Sequence, residues 1–261
     1  MWSRAVQAMG VATCFAWGAA YPLDARALAP AHRVDDRPVE IHQRLVLGEG
    51  ERAVALTLDA CGGGFDSDLI DTLVELHVPA TVFVTRKWID RHPAGMAQLA
   101  AHPELFAIED HGTRHVPAVI GEDKRVFGLR GVPDLAHLRA EVAGGARAIE
   151  ATGAPGPAWY RGATARYDQA SISGIQAMGY RIAGFSLNAD AGATLPRRAI
   201  VARLVRAKPG VIIIAHMNKP ASDSAEGLRD ALPVLLGRGM TFVTLRGREV
   251  ETIAATKPPR S

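Results

Sequence analysis

Cysteine is scarce in this chain, with Cys14 and Cys61 its whole complement in 261 residues, and so few thiols exclude a fold stapled by several disulfides. Clustered positive charge is missing too. The net charge is +3, and the Lys and Arg residues are scattered rather than gathered in a stripe, which excludes a nucleic-acid footprint. No G-x-G-x-x-G follows the first strand-like run, and Cys61-Gly62-Gly63-Gly64 lacks the Lys and Ser/Thr of a phosphate loop. Internal repeats and low-complexity tracts are likewise missing. The one long apolar run, from Ala5 to Ala20 behind Arg4, is short for a spanning helix, which needs about 20 apolar residues.

What is present at the N-terminus fits a secretory signal segment over residues 1–29: a basic start, the apolar run, and small-residue cleavage positions after Ala20 or Ala29. Removal of that segment would leave Cys61 alone, no stable membrane span, and a protein exported to the periplasm or the extracellular space. Residues 30–50 are polar, with Pro30, Pro38 and Gly48-Glu49-Gly50, and read as an entry arm. One domain is expected over 51–250, with a tail over 251–261.

Inside that domain, β-like runs at 53–58, 80–85, 105–109, 158–161, 180–185, 211–215 and 241–245 alternate with helical patterns at 66–77, 87–101, 134–151, 168–178, 196–207 and 224–238. A long loop is expected over 116–132. Such alternation implies an α/β fold with a parallel sheet and helices outside it. Several runs end in an ionisable residue: Asp59 after ALTL, Arg161 after AWY, His216 after VIIIA. Polar groups at the carboxyl ends of barrel strands read as an active site.

The segment Asp110-His111-Gly112-Thr113-Arg114-His115 sets two imidazoles four residues apart, and on one helical turn such side chains share a face. Neutral imidazole is the commonest metal-binding side chain, so His111 and His115 are candidate ligands. Asp59, ahead of three glycines, is a candidate general base that Arg161 could keep ionised. His216 is a candidate general acid, oriented by Asp190. Asp66 and Asp68 read first as helix N-caps.

LTLDACGGGFD, EDHGTRH, WYRGATARYD, SLNADAG and IIIAHMN occur in this order and resemble the five motifs of the polysaccharide deacetylase family, the NodB-homology domain or carbohydrate esterase family 4. The resemblance spans about residues 51–246. It implies a distorted barrel of (β/α)7 type, an Asp-His-His site for a divalent ion, usually Zn2+, and removal of N-acetyl or O-acetyl groups from sugars. By position, Asp59 looks like the catalytic base, Arg161 like the arginine that positions it, His216 like the acid, and His111 with His115 like the metal ligands. Tyr160, Gly162 and Asn218 fall inside these motifs and are expected at the substrate.

Three positions depart from the pattern. Ala60 stands where the family has its metal-binding aspartate, Gly162-Ala163 replaces a proline-containing step, and Asn188 takes the place of an aspartate, with Asp190 two residues later. Zinc sites keep three protein ligands, so a replacement is needed. Asp66, folded back by the glycine loop, is the expected one, with Asp59 the alternative; Cys61, although a thiolate can bind zinc, reads as a structural thiol. The expected activity is metal-dependent deacetylation of an acetylated glycan. A small-acetamide hydrolase and an inactive glycan-binding barrel are the competing readings.

Overall fold

A computed structural model describes residues 37–254; the targeting segment expected over 1–29 and the last residues of the expected tail lie outside the described residues. Eight parallel strands form the main sheet: β1 (Ala53–Ala60), β2 (Ala80–Val84), β3 (Phe106–Asp110), β4 (Trp159–Tyr160), β5 (Arg181–Ile182), β6 (Leu187–Asn188), β7 (Ile212–His216) and β8 (Thr241–Val243). Their order is β5-β4-β3-β2-β1-β7-β6, and β8 pairs with the first half of β1. Helices α1 (Ser67–Glu75), α2 (Arg86–Arg91), α3 (Pro93–Ala100), α4 (Leu135–Ala151), α5 (Gln169–Ala177), α6 (Arg197–Leu204) and α7 (Ser224–Gly237) connect them. This is the distorted (β/α) barrel that the alternation and the motifs imply.

Strand alternation places the site. Along β1, Val54, Leu56, Leu58 and Ala60 pack into the core beneath the outer helices, while Ala53 and Ala55 belong to a second core inside the curled sheet. Side chains two residues apart share a face, so Thr57 and Asp59 point inward with Ala55. In β7, Ile213 and Ala215 face outward, and Ile212, Ile214 and then His216 inward. The register sets Asp59 beside both His216 and Phe83. Three inward side chains from adjacent strands therefore meet at one end of the sheet.

Several elements differ from the sequence reading. The expected helix over 87–101 is two helices, because Pro93 lacks an N–H and biases His92 away from helical dihedrals; His92 has φ −129° and ψ 58°. The strand expected at 180–185 shortens to β5, and β6 adds an eighth strand. The entry arm is not free chain throughout: Val39–Glu40 pairs with Ala163–Tyr167, and Gln43–Leu45 pairs with Val250–Thr252. Leu45 is fully buried, and its N–H donates to Gly210 O at 2.8 Å while Gln43 N–H donates to Phe185 O at 3.1 Å. Residues 39–45 thus bridge the gap between the sheet's two edges, and 250–252 belong to the fold rather than to a tail. The expected loop over 116–132 carries a short strand, Pro117–Ala118, and a hairpin of Arg125–Val126 with Leu129–Arg130. Among the described residues no helix is long and apolar enough to cross a membrane.

Candidate active site

Asp59 is 4% exposed, and a buried carboxylate needs a partner to stay charged. Arg161 supplies it: Nη1 donates to Asp59 Oδ1 at 2.9 Å and to Thr57 Oγ1 at 2.8 Å. The same guanidinium donates to the carbonyls of Ala183 and Gly184 and lies over the Phe83 ring at 4.3 Å, so its position is fixed on every side. Burial alone would push the Asp59 carboxyl up; the charge of Arg161, joined by His111 and His216, overcomes this and holds it below its ordinary value. Asp59 is therefore an ionised, oriented acceptor.

His216 ends β7 with Nδ1 3.0 Å from Asp190 Oδ1. Asp190 is fully buried and also accepts from the His216 N–H and from Ser224 Oγ, each at 2.8 Å. A carboxylate at Nδ1 keeps the proton there and turns Nε2 outward. Burial alone would lower the imidazole; the hydrogen bond to Asp190, then that to Cys61, raises it well above the ordinary histidine value. His216 is thus held ready to give a proton.

The third group is Cys61, His111 and His115, whose ligand atoms lie within 4.8 Å of one another. His111 and His115 do not converge on a helical turn as their spacing suggests. Gly112 has φ 88° and His115 φ 67°, which breaks any helix, and the loop instead folds back so that the rings stand 4.8 Å apart. Two elements pin that loop. Arg114 and Val116 N–H donate to Glu141 Oε1 on α4 at 2.8 and 3.2 Å, and Arg86 and Lys87 N–H donate to the carbonyls of Gly112 and Thr113. The approach of α4 requires Gly145, where a Cβ would lie 2.0 Å from Asp110 Oδ1.

The donor chemistry of this trio suits a divalent ion. His111 Nδ1 donates to the Arg161 carbonyl at 2.5 Å, which leaves Nε2, 3.4 Å from Cys61 Sγ, as the nitrogen that can bind an ion once it gives up its proton. Metal bonds of about 2.0–2.3 Å in tetrahedral geometry set two ligands roughly 3.4–3.8 Å apart. Thiolate with imidazole is a donor set that suits zinc. Burial would raise the Cys61 thiol, yet His111 holds it well below its ordinary value. Burial would likewise lower His111, yet Asp59 and Cys61 push it up to about 9.

Four expectations are corrected here. Asp66 is not brought to the two histidines: its Oδ1 accepts from Leu69 N–H at 3.0 Å as the N-cap of α1, and it is outside the group of side chains placed to hold an ion. Cys61, read as a structural thiol, is the residue the structure sets beside them, with Sγ 3.4 Å from His111 Nε2. Two residues beyond Asp59, it keeps the inward parity of β1, a signal present in the sequence, whereas Ala60 packs outward. Tyr160 and Gly162 have no surface for substrate: Tyr160 is fully buried in a core with Tyr167, and Gly162 N–H donates to Tyr167 Oη at 2.8 Å. Asn218, 2% exposed, holds the glycine loop, its carbonyl accepting from Gly64 N–H at 2.8 Å and its amide bridging the Asp59 carbonyl and Gly63 N–H. Thr57, Glu141 and Ser224 are supporting residues the motifs did not single out.

Residues 48–183 match the Polysaccharide deacetylase family. The chain belongs to that family. No curated protein sequence matches it. Among solved structures it is similar to a family 4 carbohydrate esterase from Streptomyces lividans in complex with acetate, with TM-score 0.61 and 18% identity over 77% of this chain and 97% of that one. A peptidoglycan N-acetylglucosamine deacetylase in complex with a naphthyl N-oxidanyl-benzamide gives TM-score 0.64 and 19% identity over 77% and 89% of the two chains. A family 4 pseudoenzyme from Bacillus anthracis gives TM-score 0.63 and 16% identity over 80% and 68%. At these identities the likeness is one of fold.

Proposed function

We propose that this protein is an exported, metal-dependent deacetylase that hydrolyses acetamide groups on a cell-envelope glycan, with Zn2+ as the ion. The observation that carries the reading is the meeting of an oriented base (Asp59–Arg161), an oriented acid (Asp190–His216) and a Cys-His-His trio at one end of the sheet. Cys61, His111 and His115 would hold the ion. When bound, a divalent ion lowers the pKa of a coordinated water toward neutrality and polarises a carbonyl oxygen.

The chain's own residues handle the protons. Asp59, ionised and fixed by Arg161, takes a proton from the attacking water as its oxygen bonds to the acetyl carbon. His216 gives the proton on Nε2 to the amine nitrogen as the carbon–nitrogen bond breaks, and the Asp190 carboxylate at Nδ1 keeps the ring in that orientation. Acetate and a free amino sugar leave. Groups of this kind each contribute about 10²–10⁴ in rate.

An inactive glycan-binding barrel is the second reading, favoured by Ala60 at the position of the family's metal-binding aspartate. The inward thiol of the very next residue argues against it, because Cys61 restores a third donor beside the two histidines. Acetate release from peptidoglycan, chitin oligomers and acetylated small amines, with and without a chelator, tests both. Release from glycans that stops on chelation supports the deacetylase; release only from small amines moves the substrate to non-sugar acetamides, and none from any substrate by zinc-loaded protein supports the binding barrel.

A further inference from the structure

We infer that the cationic cavity beside the metal-ligating loop recognises an acidic substituent of the glycan, so that the substrate class is an acetylated glycan bearing a carboxylate or phosphate near the acetamide; this rests on the deacetylase reading for its catalytic meaning. The cavity has a volume of about 340 Å³ and is lined by Arg86, Lys87, Asp90, Arg91, Thr113 and Arg114. Four cations against two carboxylates, Asp90 in the lining and Glu141 behind Arg114, leave a positive surplus at a single concave place. Arg86 meets Asp90 through a 3.4 Å contact, and Arg91 Nη1 donates to Gly62 O at 2.8 Å. Lys87 and Arg114 project into solvent; the Arg114 side chain is 69% exposed and meets the buried Glu141 carboxylate at 3.6 Å through Nε, which leaves its Nη groups for a ligand.

The cavity adjoins the reaction centre. Thr113 and Arg114 belong to the loop between His111 and His115, and the Lys87 stem packs against Gly62, whose added Cβ would lie 3.1 Å from Lys87 Cδ. Gly62 follows Cys61 directly, and consecutive Cα atoms are about 3.8 Å apart. A sugar with its acetamide at Asp59 and His216 would thus place a neighbouring substituent or ring over these cations. Guanidinium groups match the planar fork of a carboxylate and the oxygens of a phosphate alike, and the observations do not require more than that shared chemistry. A solvated basic surface is the plain alternative, and it would show no preference tied to these residues.

The test compares zinc-loaded full chain binding three oligosaccharides by calorimetry: a neutral N-acetylglucosamine tetramer, its C6-oxidised uronate form and its 6-phosphorylated form. Wild type is expected to bind one or both charged forms more tightly than the neutral one, with the preference shrinking as salt shortens the Debye length from about 10 Å at 0.1 M. Lys87→Gln with Arg114→Gln should lower that preference, by roughly two- to fivefold for each charge removed. Arg206→Gln with Lys208→Gln, exposed and just ahead of β7 at the opposite end of the sheet, should leave it in place. Equal affinity for all three oligosaccharides overturns the proposal, as does a preference that survives the first pair or falls equally with the second. Acetate release in the same samples separates the two readings: no release from any oligosaccharide with the charge preference intact removes the deacetylase and leaves the cavity's role standing.

Discussion

Asp59 and His216 reach the site from adjacent strands, whereas Cys61, His111 and His115 reach it from loops, and the two groups are held by different forces. The strand-borne pair inherits its position from a ladder shared with the core, in which Asp59 and His216 are register partners, and each is then aimed by one buried charge, Arg161 or Asp190. The loop-borne trio has no ladder. Its geometry depends on individual hydrogen bonds donated to the Glu141 carboxylate and the Arg161 carbonyl and accepted from the backbone of α2, and on a glycine that lets α4 come close. On the proposed function, proton transfer would sit on the hydrogen-bonded ladder of the sheet, and metal binding on loops whose shape a single substitution can change.

The contrast is sharpest where the largest effect is expected. Asp59→Asn keeps the shape and removes the base, so kcat should fall by about 10²–10⁴ while zinc content stays at wild-type level. A loss of metal in this variant would show that Asp59 is itself a ligand and that the two groups are not separate.

His216→Ala tests the acid through the pH profile. Asp59 works ionised and its carboxyl is held down, so activity should be lost as pH falls through that lowered value. His216 works protonated and its imidazole is held well up, so wild-type activity should persist above the ordinary histidine pKa of about 6.5 and be lost as pH rises through the raised value. In His216→Ala the alkaline limb should flatten, and amides should slow more than activated esters, whose leaving groups need little protonation. Equal slowing of both would remove His216 from the role of acid.

Substitutions behind the loop should act on the metal alone. Glu141→Gln weakens two hydrogen bonds that hold the loop, and outer-shell changes of this kind cost about 10–100-fold in metal affinity. Zinc titration by competition with a chelator reads this, and an unchanged affinity would mean that the loop holds its shape without α4. Asp66→Ala should have the smallest effect: loss of an N-cap costs about 1 kcal/mol of stability, read as a lower denaturation midpoint, with zinc content unaltered.

How much of this was legible in the sequence follows the same division. Asp59, Arg161 and His216 stand at the ends of apolar runs, and strand alternation aims a side chain as soon as the strand is recognised. His111 and His115 do come together, but not by helical spacing: left-handed dihedrals at Gly112 and His115 bring the rings to 4.8 Å. Alternation past the end of β1 points to Cys61 as an inward side chain, whereas Asp66 stands where a helix needs its cap, and a search for a carboxylate ligand favours the second over the first. Tyr160 lies in a strand of two residues, too short for any periodicity to tell its buried face from an exposed one. The same brevity hid Val39–Glu40, Gln43–Leu45 and Val250–Thr252, whose pairings depend on sheet edges far away in the chain.

The most direct test is a cobalt(II) titration of the full chain, read by near-ultraviolet absorption. One equivalent should bind with an intense thiolate-to-cobalt band that is absent in Cys61→Ala and retained in Asp66→Ala. Stoichiometric binding without that band, or loss of the band in Asp66→Ala, would contradict a site built from Cys61, His111 and His115.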